Sequence, residues 1–224
     1  MPNSAPDYNQ ARKNMVDCQI HTSGVVHIGL LNAFENVPRE LFVPETLQGI
    51  AYYDEEIALG KGRFLLEPLT LSKMLQAADL KESDVALDIG GATGYGAAIL
   101  SPNVTTIIAI ENNDDLIAGA EKNWNDLGAN NIVPIKARLT TGAPDKGPFD
   151  VIIMHGAVPE IPTNITAQLA PHGRLLCIVK HPGEKIGHAT LVQSLGENQF
   201  SSYTLFECAS GYIDGFAPKP TFSF

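Results

Sequence analysis

Cysteine, positive charge and long apolar runs are all in short supply in this chain. Its 224 residues include three cysteines, Cys18, Cys177 and Cys208, odd in number and far apart, which excludes a disulfide framework or a cysteine-based metal set. Fifteen Lys and Arg face 25 Asp and Glu, for a net charge of −10. That balance argues against a nucleic-acid partner, which needs a basic, phosphate-neutralising surface. No stretch approaches the roughly 18 uninterrupted apolar residues of a membrane span. The opening MPNSAPDYNQARKNM has no apolar segment of the kind a secretory signal carries. These absences lead to the expectation of a cytoplasmic protein with neither a membrane nor a nucleic acid as partner. Internal repeats and low-complexity tracts are missing too. What remains is ordinary globular material, 44% hydrophobic and 18% charged, able to bury a full core.

The first 45 residues read as helical, with Ile28, Leu31, Phe34 and Val37 on one face and Pro38 ending the run. IALGKGRFLLEP, from Ile57 to Pro68, is broken by two glycines and a proline and reads as a loop. LTLSKMLQAADL then predicts a short helix with Leu71, Met74 and Leu75 on one side. Beyond it, strands are expected at VALDI (85–89), VTTIIAI (104–110), NIVPIKA (131–137), FDVIIMH (149–155) and GRLLCIVK (173–180), with helices at 95–100, 113–127 and 163–170 between them. Such alternation, with several strands continuously apolar, predicts a doubly wound, mostly parallel α/β sheet behind a helical N-terminal extension. ATLVQSL and FSSYTLFE add candidate antiparallel edge strands, and the aromatic tail GYIDGFAPKPTFSF is expected over an edge or a site mouth. The division expected is a helical lobe with a substrate loop over 1–80 and a ligand-binding domain over 81–224.

The turn after the first of these strands reads Asp88-Ile89-Gly90-Gly91-Ala92-Thr93-Gly94-Tyr95. Counted from Gly90, positions three and six are Ala92 and Tyr95, so the dinucleotide pattern G-x-G-x-x-G fails; no Gly-Lys-Ser/Thr follows, so a P-loop fails as well. A turn without phosphate anchors, preceded by an acid, suits a ligand with a cationic or amide-seeking group. The next strand ends in Glu111, a carboxylate placed to accept hydrogen bonds from vicinal ribose hydroxyls. The alternative is a structural glycine turn beside an exposed acid.

Asp88, Gly90, Gly91, Gly94 and Glu111 resemble the cofactor motifs of class I S-adenosylmethionine methyltransferases, Rossmann-like enzymes whose ligand carries no phosphate; Ala92 stands where their middle glycine would be. MVDCQI, VPRELFVPE, AYYDEEIALGKG, DIGGATGYGAAIL and FDVIIMHGAVPEIP, in that order, narrow the resemblance to the protein-L-isoaspartate O-methyltransferase family over about residues 10 to 180. The resemblance implies S-adenosyl-L-methionine as cofactor and an isoaspartyl protein or peptide as methyl acceptor, in protein repair.

Two departures accompany it. The family's loop serine, at the substrate site and sulfonium, is replaced here by Leu66, which has no hydrogen to donate to a carboxylate. Its acidic residue after the third strand, aimed at the adenine amino group, gives way to Arg138 and Leu139. Methyl transfer to a carboxylate needs alignment and dryness more than acid–base help, because a carboxyl of ordinary pKa near 4 is already ionised at pH 7. Arg63 and Lys61 are candidates to pair with a substrate carboxylate, or are solvated loop charges. His155 is a candidate base for a less acidic nucleophile, or a strand-end cap; Tyr95 is expected as a wall at the cofactor's amino-acid end, and Trp124 as core before adenine stacking. No metal is expected, since His181 and His188 lack a third ligand. Beside the carboxyl methyltransferase stand a cofactor-binding member without catalysis and a methyltransferase for another acceptor.

Overall fold

The computed structural model describes residues 7–60 and 62–218. The N-terminal lobe opens with α1 (Tyr8–Asn14), which runs into a wide turn over Met15–Ile20 and then α2 (Ile28–Asn36). Short 3-10 turns at Arg39–Phe42 and Glu45–Ile50 complete the lobe. Next come β1 (Ile57–Gly60), β2 (Arg63–Leu65) and α3 (Pro68–Ala77), where Pro68 takes the first helical turn and costs no hydrogen bond. The segment read as a loop is therefore a hairpin, with Ile57 opposite Leu65 and Ala58 opposite Phe64. The glycines that looked like breaks make its turn, Gly60 and Gly62 having φ of +83° and +68°.

The remaining chain alternates through β3 (Val85–Ile89), α4 (Tyr95–Leu100), β4 (Thr106–Glu111), α5 (Asp114–Leu127), β5 (Ile132–Lys136), β6 (Phe149–Val158), α6 (Thr163–Thr166), β7 (Leu169–Val179), β8 (Gly187–Gly196) and β9 (Gln199–Cys208). Helix α5 follows from its ends. The Asn113 side chain accepts from the Asp115 and Leu116 amides, Asp114 and Asp115 face the positive end of the helix dipole, and Gly128 closes it at φ +70°. Helix α6 stops at Thr166, shorter than the expected 163–170, because Leu169 has already entered the sheet opposite Phe149.

The seven strands lie in the order β5-β4-β3-β6-β7-β8-β9. The pairs from β5 to β7 are parallel, and β8 and β9 add antiparallel. Alternate strand residues feed two cores. Ala86, Ile107, Val151 and Leu176 join the N-terminal lobe on one face, and Leu87, Ile108, Ile152 and Leu175 meet Phe149, Ile165 and Ile213 on the other. The first core runs unbroken from Met15 to Cys208 across the expected boundary at residue 80. Strand order reverses at β3, whose neighbours β4 and β6 leave in opposite directions, so the crevice at its carboxyl end is where a ligand is expected. Among the described residues no helix is long and apolar enough to cross a membrane.

Candidate cofactor site

The glycine turn sits in that crevice. Gly90 donates to the Ile110 carbonyl at 3.1 Å, tying the turn to β4, and Gly94 donates back to Gly91 at 2.9 Å. The turn needs left-handed backbone at Gly90, Ala92 and Gly94, with φ of +70°, +53° and +88°. At Ala92, where the resemblance expects glycine, a Cβ in that conformation costs about 1 kcal/mol. The turn is held regardless, since Thr93 Oγ1 donates to the Phe42 carbonyl of the N-terminal lobe at 2.6 Å.

The two strand-end carboxylates are both engaged. Asp88 Oδ2 lies 2.7 Å from His155 Nε2, and both side chains are buried. His155 is also packed against α4, where any Cβ at Gly96 would overlap its Cε1. Glu111 is held by Arg63 from the hairpin in a bidentate pair, Nε to Oε2 at 2.9 Å and Nη2 to Oε1 at 2.7 Å. Side-chain exposures of 4% and 7% make this a buried ion pair. The Asn112 amide adds a third donor to Glu111 Oε1 at 2.7 Å, while Arg63 Nη2 also reaches Asn112 Oδ1 at 2.7 Å. Burial lowers the Arg63 pKa, but the bonds and charge of Glu111 outweigh it and leave the guanidinium above its ordinary value. Arg63, expected beside a substrate carboxylate, thus holds one of the chain's own.

Apolar groups cover the turn. The Trp124 indole crosses Gly94, donating Nε1 to its carbonyl at 2.8 Å and lying 2.5 Å from where a Cβ would stand. Leu139 and Ile213 approach Gly90 from above. Ile213 belongs to a strap formed by residues 209–218, which crosses the end of β6 through Ile213 N to Ala157 O at 3.0 Å and Ala157 N to Gly211 O at 2.8 Å. Glu56 anchors the strap, accepting from Ser210 Oγ at 2.6 Å and Gly211 N at 3.2 Å. Asp214 at its tip accepts from Asn112 Nδ2 at 2.8 Å and lies 3.8 Å from Arg63 Nη2. The tail thus lies over a site mouth as far as residue 218; residues 219–224 and Lys61 fall outside the described residues.

Three other candidates lie apart from this cluster. Leu66 is buried in the core shared with the N-terminal lobe, and its carbonyl accepts from Arg39 Nη2 at 2.7 Å. Tyr95, expected as a cofactor wall, is fully buried toward the lobe, its ring 5.3 Å from Phe42 and 4.9 Å from the Arg39 guanidinium. Arg138 is exposed, whereas its neighbour Leu139 is buried over Gly90. Sequence reasoning missed Ile213, Asp214, Asn112 and Arg39. For the strap residues the one visible signal was the acid and glycine within the aromatic tail, and nothing in it pointed 102 residues back to Asn112.

A doubly wound sheet that turns through a glycine loop without phosphate anchors, with carboxylates ending its first strand and the next, defines the class I S-adenosylmethionine-dependent methyltransferase fold. Comparison with known proteins narrows this. The model of the protein-L-isoaspartate(D-aspartate) O-methyltransferase family matches residues 10–209, and the chain belongs to that family. A protein-L-isoaspartate O-methyltransferase 2 of Marinobacter nauticus is 36% identical over 183 residues, covering 82% of this chain and 84% of its own length. The Pelotomaculum thermopropionicum protein-L-isoaspartate O-methyltransferase is 35% identical over 175 residues, 77% of this chain and 76% of its own. Among solved structures, a protein-L-isoaspartate O-methyltransferase superposes with a TM-score of 0.78 at 22% identity, over 91% of this chain and 66% of that one. A Plasmodium falciparum structure assigned as the same enzyme, in complex with S-adenosyl-L-homocysteine, gives 0.73 at 17% identity over 94% and 99%.

Set against an adenosyl ligand, the residues fit in kind. Asp88 and Glu111 are carboxylate acceptors of the kind an adenosyl amino acid needs, and the turn offers backbone without phosphate anchors. Glu111, however, already accepts from Arg63 Nε and Nη2 and from the Asn112 amide.

Proposed function

We propose that this chain is an S-adenosylmethionine-dependent methyltransferase that methylates the carboxylate of isoaspartyl residues in proteins or peptides. The observation that carries the reading is the placement of Asp88, the Gly90–Gly94 turn and Glu111 together at the strand-order reversal, in a chain of this family. Glu111 would hold the ribose hydroxyls, and Asp88 with the turn would hold the amino-acid part. When bound, the cofactor supplies an electrophilic methyl group on a sulfonium.

The chain's own part is alignment and exclusion of water. A carboxylate nucleophile needs no base at neutral pH, which agrees with a His155 committed to Asp88. Trp124, Leu139 and Ile213 keep the turn dry, and in a dry site a fixed approach supplies most of the rate gain. Arg63 is a cation at this end of the sheet that would receive an acceptor carboxylate once it leaves Glu111.

Leu66 favours a second reading, a cofactor-binding member without this catalysis or a methyltransferase for another acceptor, because its buried side chain offers no donor. The test is transfer of labelled methyl from S-adenosylmethionine to an isoaspartyl peptide and to its aspartyl counterpart. Methylation of the first alone is expected. Cofactor binding with neither peptide labelled would move the assignment to the second reading.

A further inference from the structure

We propose that Arg63 is a built-in latch on the cofactor site: it occupies the carboxylate that the ribose needs and must leave before an adenosyl ligand can bind. The proposal rests on the methyltransferase reading above and adds a control that the reading does not require.

The argument begins with an acceptor count. A carboxylate has about four lone-pair positions. Glu111 already accepts from Arg63 Nε, Arg63 Nη2 and the Asn112 amide, which leaves room for about one further donor. Two vicinal hydroxyls need two, so ribose and Arg63 compete for the same oxygens.

The pair is also built to open. Both oxygens of Glu111 are engaged, but one nitrogen of Arg63 is not: its Nη1 is buried and has no hydrogen-bond partner among the described residues. A buried donor left unpaired opposes the closed arrangement. Arg63 is also carried by the two-stranded β1–β2 ribbon, which is separate from the seven-stranded sheet, and such a ribbon is marginal by itself. A second acceptor waits nearby. Asp214 on the strap is 54% exposed and 3.8 Å from Nη2, so the guanidinium can exchange a buried carboxylate for a wetter one over a short path. Phe64 lies against Gly211, so any Cβ at that glycine would overlap its ring. The ribbon that carries the latch and the strap that receives it are therefore in contact.

A latch closed nine-tenths of the time weakens apparent affinity about tenfold. The experiment is calorimetric titration of S-adenosyl-L-homocysteine into the full chain as wild type, Arg63→Gln, Arg63→Met and Arg63→Lys, each shown folded by circular dichroism. The single tryptophan, Trp124 against Gly94, gives an independent fluorescence readout of ligand arrival. Gln and Met are expected to tighten binding about tenfold or more. Lys, a point charge without the bidentate fork, is expected to give a smaller gain and guards against loss of folding in the neutral variants. Adenosine compared with 2′,3′-dideoxyadenosine supplies a readout that a merely structural Arg63 would not move: the two hydroxyls should contribute more to affinity in Arg63→Gln than in wild type. Folded variants that bind no tighter than a wild type that does bind would overturn the latch and leave the methyltransferase reading standing. Absence of binding in wild type and all variants would overturn both.

Discussion

Replacing Glu111 by glutamine removes one charge from a pair that is almost wholly out of water, and the cost follows from the geometry. With charge centres taken at about 4 Å and an effective dielectric of about 20, the attraction lost is about 4 kcal/mol. Leaving a buried charge unpaired costs about 3–5 kcal/mol. Arg63 keeps Asn112 Oδ1 at 2.7 Å and has Asp214 at 3.8 Å, so the expectation falls at the lower end, about 3 kcal/mol. For a domain of this size that is a fall in Tm of roughly 6–12 °C. Arg63→Met should cost a similar amount by stranding Glu111. The double variant Arg63→Met/Glu111→Leu leaves no charge to strand and should recover to within about 1 kcal/mol of wild type. Guanidinium chloride unfolding followed by circular dichroism measures all four proteins. If Glu111→Gln lost less than about 0.5 kcal/mol, or the double variant lost as much as Arg63→Met alone, the pair would not be the buried, mutually dependent unit described here.

Other outcomes follow from the same structure. Gly96→Ala drives a methyl into His155 Cε1 and should destabilise severely, whereas Gly119→Ala, on the exposed face of α5 with nothing within 4 Å, should stabilise by about 0.5–1 kcal/mol; thermal melts of both check the pair. Burial raises the Glu56 pKa above the ordinary carboxylate value, so the unfolded chain releases this proton at lower pH than the folded one and stability falls as pH rises through that interval. Glu56→Gln keeps an acceptor for Ser210 and Gly211 without the buried charge, so its stability relative to wild type should improve from pH 4 to pH 7 in denaturant titrations, and a flat difference would refute this. Cys18 is exposed, while burial pushes the Cys177 and Cys208 thiols up to about 12 and about 11. Mass spectrometry after alkylation should therefore find one label on the native protein and three after unfolding.

Much of the fold was legible because the strands that build it are locally unambiguous. VALDI and FDVIIMH are largely apolar runs, and Asn112 or Asn113 at one end and Gly128 at the other mark α5 without reference to anything distant; the structure makes Asn113 the cap. The hairpin at 57–65 was misread because its two glycines carry one message in isolation, a break, and another once a partner strand is present, a turn. The neighbours of Tyr95 were not legible for a related reason: which way the first residue of a helix faces depends on what covers it, and here the Phe34, Phe42 and Arg39 side chains do.

By itself, then, the sequence determined the glycine turn without phosphate anchors, the acids at the ends of β3 and β4, and the order of strands and helices from β3 onward, because spacing and residue type settle these within a few residues. Only the tertiary structure decided how those acids are employed. Asp88 meets His155 from 67 positions away, Glu111 meets Arg63 from 48, and Asp214 reaches Asn112 across 102. Pairing over such distances is set by how the ribbon and the strap fold onto the sheet. A residue's charge is written in the chain, but which opposite charge it meets is a property of the packed molecule.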